Sequence, residues 1–315
     1  MIAPSGEQIE IALANQRAVV VEVGGGLRAY SADGRELIDG YGADEMSSSG
    51  RGQVLIPWPN RLEDGCYEFD GRRHQLALNE PEHRNAIHGL VRWANWTATE
   101  RESHRAVMVH VLHPQPGYPF SLRLSVEYAL TDGGLRVRTT ATNLGSEACP
   151  FGSGAHPYLT LGTATIDRLM LRAPARTVLR SDARGLPVGT RAVEHTEYDF
   201  RTPRRIGATR LDHAFTDLER DAAGRARVEL RDPEHGTEVS LWVDASYPYL
   251  MLFSGDTLPD VRRRRHSLAV EPMTCPPNAF RTGEALIRLT PGASFTGTWG
   301  IEPGEASSSR GRSAR

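Results

Sequence analysis

Apolar and polar residues alternate with a period of two through most of this chain, and that period constrains its fold more than any other feature. Gln8-Ile9-Glu10-Ile11-Ala12-Leu13 alternates, and so does Arg17 to Val23 ahead of the triple glycine at 24–26. Side chains two apart share one face of a strand, so such a segment buries one side and wets the other. Leu122, Leu124, Val126, Tyr128 and Leu130 carry the pattern through a long strand. Thr131-Asp132-Gly133-Gly134 then supplies residues that accept the positive φ of a hairpin turn, and a return strand is predicted over 135–141. A second hairpin is predicted between 226–230 and 238–243, across Asp232-Pro233-Glu234-His235-Gly236. The segment 106–112 is apolar at nearly every position and reads as a strand buried on both faces. Shorter strands are expected at 249–253, 267–270, 286–289 and 295–301. Helical spacing is almost absent. The chain therefore reads as all-β, with sandwich and barrel both open on pattern alone. It shows no Pro/Ser linker and no fixed-period repeat. One large domain is expected over 1–303, with a disordered Ser/Arg-rich tail over 304–315.

Composition removes several function classes. All 37 Lys+Arg residues are arginine. A lysine Schiff base, a pyridoxal-phosphate anchor and a P-loop lysine are therefore impossible. A net charge of −2 supplies no electrostatic drive toward nucleic acid or an anionic membrane. Cys66, Cys149 and Cys275 form no C-x-x-C pair, so neither a zinc knot nor a disulfide framework is expected. The first residues lack a basic start followed by an apolar run, and no stretch approaches the roughly 18 apolar residues of a spanning helix. A reduced, cytoplasmic protein is expected, without membrane or nucleic-acid partners.

Three loops concentrate residues that could carry chemistry. Phe151-Gly152-Ser153-Gly154-Ala155-His156-Pro157-Tyr158 places one imidazole behind small residues and ahead of a proline that fixes the chain direction. It reads either as an active-site loop or as a turn with a structural histidine. Ile56-Pro57-Trp58-Pro59-Asn60-Arg61 delivers Asn60 and Arg61 from a stiff platform, with Trp58 either a flat face for a sugar ring or a core residue. Asn79 to Leu90 is a long polar loop in which glycine leaves the ring of His88 approachable. Glu271 ends the apolar run 268–270, so its carboxyl is expected at the core margin, partly desolvated and raised in pKa toward a general base. The plainer alternative is a glutamate paired with an arginine such as those of the run 262–265, itself a solvated loop or a weak anion site. Asp212 and His213 point opposite ways on an extended segment, so at most one faces any site. Gly152-Ser153-Gly154 is one residue short of a G-x-S-x-G elbow, and His110 and His113 diverge on a strand. Neither a serine hydrolase nor a metal site is supported.

Taken in order, Asn60-Arg61, Gly65-x-Tyr67-x-Phe69-Asp70-Gly71, Asn79, Ile87-His88-Gly89, His156-Pro157-Tyr158, Asp212-His213-x-Phe215 and Glu271-Pro272 resemble the aldose 1-epimerases, or sugar mutarotases. The likeness runs from roughly residue 9 to 302, in a form similar to a bacterial branch. Each motif is short, but seven stand in the family's order. The resemblance implies a large β-supersandwich of the galactose mutarotase-like type and a cofactor-free, metal-free exchange of α and β anomers of a free aldose. It implies His156 as the general acid toward the ring oxygen and Glu271 as the base toward the anomeric hydroxyl. His88, Asp212, Arg61 and Asn60 fall in the implied sugar pocket. Ser153-Gly154-Ala155 and Leu90 depart from the family's usual pattern, which bears on the identity of the sugar. Mutarotation fits these residue types, because it needs two coordinated proton transfers and its end states differ little in energy.

Two other readings stand beside this one. A hexose-phosphate epimerase on the same scaffold would gather arginines around a phosphate. A carbohydrate-binding module would keep the fold without needing an acid–base pair. The expected partner is a small-molecule sugar, and the expected assembly a monomer or homodimer.

Overall fold

The computed structural model describes residues 2–305. The alternating segments form the strands expected of them. Leu122–Thr131 and Gly134–Asn143 pair antiparallel from Leu122 opposite Asn143 to Thr131 opposite Gly134. Leu122, Leu124, Val126 and Tyr128 are all buried on one face of this hairpin. Thr97–Glu102 and Arg105–Leu112 extend the sheet on one side. Ser294–Glu305, Thr237–Val243, Ala226–Asp232, Met170–Arg172 and Arg204–Arg205 extend it on the other, to nine strands.

Two expectations about this sheet are corrected. Arg105–Leu112 is covered fully on one face only: Ala106, Met108 and Leu112 enter the core, while on the other face Val107 is buried and Val109 and Val111 are half-buried. The last strand also runs past residue 303, with Gly304 opposite Glu238 and Glu305 opposite Thr237. The rest of the expected tail, 306–315, lies outside the described residues.

The second large sheet has eight strands, in the order Pro187–Ala192, Ala175–Ser181, Asp212–Leu218, Tyr249–Phe253, Leu268–Met273, Gly154–Ala155 and Val54–Leu55, with Tyr158–Leu159 also pairing to Leu268–Met273. Its two faces differ. Phe215, Leu250, Leu252 and Val270 join the main core together with Leu124, Val137 and Trp299 of the nine-stranded sheet. Ala214, Met251 and Met273 lie on the opposite face, in a smaller apolar cluster with Leu179 and Tyr249. Among the described residues, helix is limited to Ala279–Thr282 and two short 3-10 turns, and no helix is long and apolar enough to cross a membrane. The fold is all-β.

Candidate active site

The face of the eight-stranded sheet turned away from the main core carries a cleft of about 420 Å³, a volume within the usual range for small-molecule sites. Strand register brings its floor together. Glu271 pairs with Met251, Met251 with Ala214, and Phe253 with Asp212. Alternation then puts Asp212, Met251, Phe253 and Glu271 on one face, and all four line the cleft. Glu271 is not at the core margin as expected. The strand continues through it to Met273, and Glu271 is only 2% exposed.

His156 arrives from the adjoining strand Gly154–Ala155, and Pro157 turns the chain onto Tyr158–Leu159. Its backbone is tied to the loop before Val54: the His156 amide donates to the Gln53 carbonyl at 3.1 Å, and the Gly52 amide donates to the His156 carbonyl at 2.9 Å. The imidazole is buried and stacks on Tyr158, with ring centroids 4.9 Å apart and planes 15° from parallel. Its Nε2 lies 3.3 Å from Glu271 Oε1. Residues 115 apart in sequence thus meet as a buried imidazole–carboxyl pair. Glu271 Oε2 and His156 Nδ1 are buried without a hydrogen-bond partner.

Asn60 and His88 both adopt left-handed backbone, with φ of 56° and 64°. Asparagine and histidine tolerate that region better than most residues, and such conformations cluster at functional sites. Gly89 follows with its Cα pressed on the backbone of Ile56, where an added Cβ would sit 2.0 Å from the carbonyl oxygen. These turns aim His88 edge-on toward His156, with centroids 5.4 Å apart. The Asn60 amide donates to His88 Nδ1 at 3.2 Å, so the neutral ring carries its proton on Nε2. Asn60 itself spends Oδ1 on the Arg61 amide. Arg61 lines the cleft, but its Nε and Nη2 are held by both oxygens of Glu80, at 3.0 to 3.1 Å.

Burial governs the electrostatics. Desolvation lifts Glu271 well above the ordinary carboxyl range, with the nearby Asp212 charge adding to the rise and Arg61 opposing it. Desolvation also lowers His156 to about 3, reinforced by the positive charges of Arg92 and Arg51. His88 is likewise pushed well down, first by burial and then by His156. Asp212 is accessible through the cleft, yet desolvation by its walls raises its carboxyl, opposed by Arg61. Burial thus favours the uncharged form of both partners, a protonated Glu271 carboxyl opposite a neutral imidazole.

All six expected residues, Asn60, Arg61, His88, His156, Asp212 and Glu271, line this one cleft. Three alternatives left open around them are decided. Trp58 is a core residue, buried against Phe280. Glu271 pairs with His156 rather than with the arginine run. That run is not a free solvated loop either: Arg262 binds Asp260, Arg263 binds Asp39, and Arg265 binds Asp167 and Asp256. The structure also adds residues that sequence reasoning passed over. Trp93 is 56% exposed at the cleft and supplies the flat aromatic face looked for at Trp58. Arg92 and Glu80 line the same space. Both Arg92 and Trp93 directly follow the His88-Gly89 motif, the one local signal that could have drawn attention to them.

His88, His156 and Glu271 each offer one potential metal-ligand atom within 4.8 Å of the others. The Asn60 amide occupies the lone pair on His88 Nδ1 and the proton then sits on Nε2, so the trio is one free lone pair short of a ligand set. It is better suited to donating and accepting protons.

The family model described as aldose 1-epimerase matches residues 7–302. The chain is 35% identical to YihR of Escherichia coli over 289 residues, covering 91% of this chain and 90% of the relative. It is 31% identical to human galactose mutarotase over 165 residues, 50% of this chain and 46% of that one. Among solved structures, the GalM/aldose epimerase homologue of C. elegans superposes with a TM-score of 0.85 at 18% identity, covering 96% of this chain and 99% of that chain.

Proposed function

The chain belongs to the aldose 1-epimerase family, and on that premise we propose that it interconverts the α and β anomers of a free aldose with His156 and Glu271 as the acid–base pair. The observation that carries this reading is the 3.3 Å approach of His156 Nε2 to Glu271 Oε1 at the bottom of an open cleft. The anomeric and ring oxygens share one carbon, so the groups serving them must be close neighbours. Glu271 as carboxylate removes the proton from the anomeric hydroxyl, while His156 as imidazolium gives its proton to the ring oxygen. The bond from C1 to the ring oxygen breaks as the carbonyl forms. Rotation about C1–C2 presents the other carbonyl face, and the reverse transfers close the ring. The pair begins and ends with the same single proton, which hydroxyls of the bound sugar move from Glu271 onto the imidazole. His88 donates from Nε2, and Asp212 and Arg61 bind hydroxyls, with Arg61 fixed by Glu80. Trp93 offers its face to the sugar ring. The chain, with its last strand running to Glu305, acts as one catalytic domain in the cytoplasm, as a monomer or homodimer without metal or cofactor.

One observation favours an aldose bearing an anionic group. Among the described residues, Arg92 lines the cleft with no carboxylate partner; it makes only long hydrogen bonds to Gln53 Oε1 at 3.3 Å and the Ile87 carbonyl at 3.4 Å, and its Nε has none. Burial alone lowers it to about 10. A half-buried cation without a carboxylate partner is partly desolvated, and an anion in the cleft would relieve that cost. The test is anomer-exchange NMR on freshly dissolved neutral hexoses beside sugar carboxylates, sulfonates and phosphates. Accelerated exchange on at least one aldose is expected. A sugar bound without faster exchange would convert the protein into a carbohydrate-binding module and overturn the catalytic reading.

A further inference from the structure

A third flat group packs on Tyr158 beside the His156–Tyr158 stack. The guanidinium carbon of Arg51 sits 4.4 Å from the centre of the Tyr158 ring, and Tyr158 in turn lies 15° from parallel to the imidazole. Arg51 is 2% exposed, an unusual place for an arginine and one that requires paired charge. Asp39 supplies it: Oδ2 accepts from Arg51 Nε at 3.3 Å and Nη2 at 3.1 Å, and from Ser267 Oγ at 2.8 Å. Asp39 Oδ1 accepts from Arg263 at 3.0 Å, so one carboxylate holds two arginines. None of these four residues lines the cleft.

The same short loop cages the imidazole. The Tyr158 hydroxyl donates to the Ser49 carbonyl at 2.8 Å, and Ser47 Oγ donates to the Arg51 carbonyl at 2.9 Å. Gly50, at φ 79°, lies so close to the ring that an added Cβ would stand 2.5 Å from His156 Cδ2. Tyr158, Gly50 and His88 thus bound the imidazole, and only the side toward Glu271 is left for chemistry. A catalytic group must be held near its productive orientation by neighbours whose own positions are fixed.

We propose that Arg51, anchored by Asp39, is a positioning residue for His156: it packs on the Tyr158 ring, fixes it, and thereby holds the imidazole plane facing Glu271. The inference rests on the reading of His156 as a proton-transfer group. It also gives Arg263 of the arginine run a task, since Arg263 shares the anchor.

The test is anomer-exchange kinetics on the best sugar of the panel for Arg51→Met, Tyr158→Leu and Tyr158→Phe, each also in a His156→Ala background. Asp39 keeps Arg263 and Ser267 in Arg51→Met, so the anchor retains partners. Misplacing a catalytic group by about an ångström costs on the order of 10²-fold. Arg51→Met and Tyr158→Leu are expected to lower kcat by about 10- to 100-fold with KM within about twofold. Tyr158→Phe keeps the stacked ring and should lose far less than Tyr158→Leu. In the His156→Ala background Arg51→Met should cost nothing further, because its effect passes through the missing ring. Should Arg51→Met fail to fold, the comparison of Tyr158→Leu with Tyr158→Phe decides alone. Equal losses in that pair, unchanged kcat in folded Arg51→Met, or full additivity with His156→Ala would overturn the inference. Full activity of His156→Ala itself would instead overturn the functional reading on which it rests.

Discussion

Replacing Glu271 by glutamine separates the chemistry of this site from its packing. The carboxyl is 2% exposed, with Oε1 3.3 Å from His156 and Oε2 unpartnered. Desolvation already favours its uncharged form. Below about pH 4.5, where the unfolded Glu271 is protonated too, an amide of the same shape replaces a neutral group and stability should move by no more than about 1 kcal/mol; at higher pH the variant avoids the proton uptake that folding imposes on Glu271 and should be the more stable. Catalysis should behave differently, because an amide cannot take the proton from the anomeric hydroxyl. A positioned general base contributes on the order of 10² to 10⁴ in rate, equivalent to about 3 to 5 kcal/mol in the barrier. The assay is α/β exchange by NMR or polarimetry, at sugar concentrations above and below KM, beside a urea titration of the same preparation. A loss in kcat of that size with an unfolding midpoint no lower than that of wild type is expected. A folded Glu271→Gln variant with wild-type kcat would refute the reasoning.

Further expectations concern the pair's titration and the cleft walls. His156 is lowered to about 3, so between pH 6.5 and 3 the unfolded chain takes up a proton that the folded chain refuses, and stability falls as pH falls. Glu271 is raised, so its contribution is complete below pH 4.5 and is lost as pH rises toward its folded value. The two slopes oppose each other between about pH 5 and 6.5. Urea titrations of Glu271→Gln should therefore show stability rising with pH by up to about 1.4 kcal/mol per unit more steeply than wild type, and parallel curves would contradict the shifts. Trp93→Ala removes an exposed side chain, so melting should be unchanged within a few degrees while KM for the sugar rises several-fold, as steady-state exchange kinetics will show. Arg92→Met should abolish any preference for an anionic over a neutral aldose in competition assays, and an undiminished preference would remove Arg92 from that role.

The long strands were legible because the physics that makes them is local. Alternation at 122–130 and the Asp-Gly-Gly turn after it specify one hairpin and its register. The sheet order was not legible, since antiparallel partners such as Met251 and Glu271 are joined only by the fold. Glu271 illustrates the loss. A carboxylate after an apolar run reads as the end of a strand, whereas here the strand continues and its polar residue faces a cleft on the side away from the core. Pattern could not choose between Trp58 and Trp93, because prolines beside a tryptophan stiffen a loop without saying which way the ring turns. The loop at 47–53 carries Ser, Gly and one arginine, so nothing local marks Arg51 as buried beneath Tyr158. The ordered motifs shared with a known family supplied what pattern could not, a meeting of residues 88, 156, 212 and 271.

The central claim is that His156 and Glu271 act as one proton-transfer unit on a bound aldose. A double-mutant cycle in the anomer-exchange assay tests it most directly, with His156→Ala and Glu271→Gln measured singly and together on the best sugar of the panel. Groups that act as a unit are strongly non-additive. The double variant is predicted to be scarcely slower than either single variant, all three lying far below wild type. Losses that multiply, or a single variant that keeps wild-type exchange, would contradict the account.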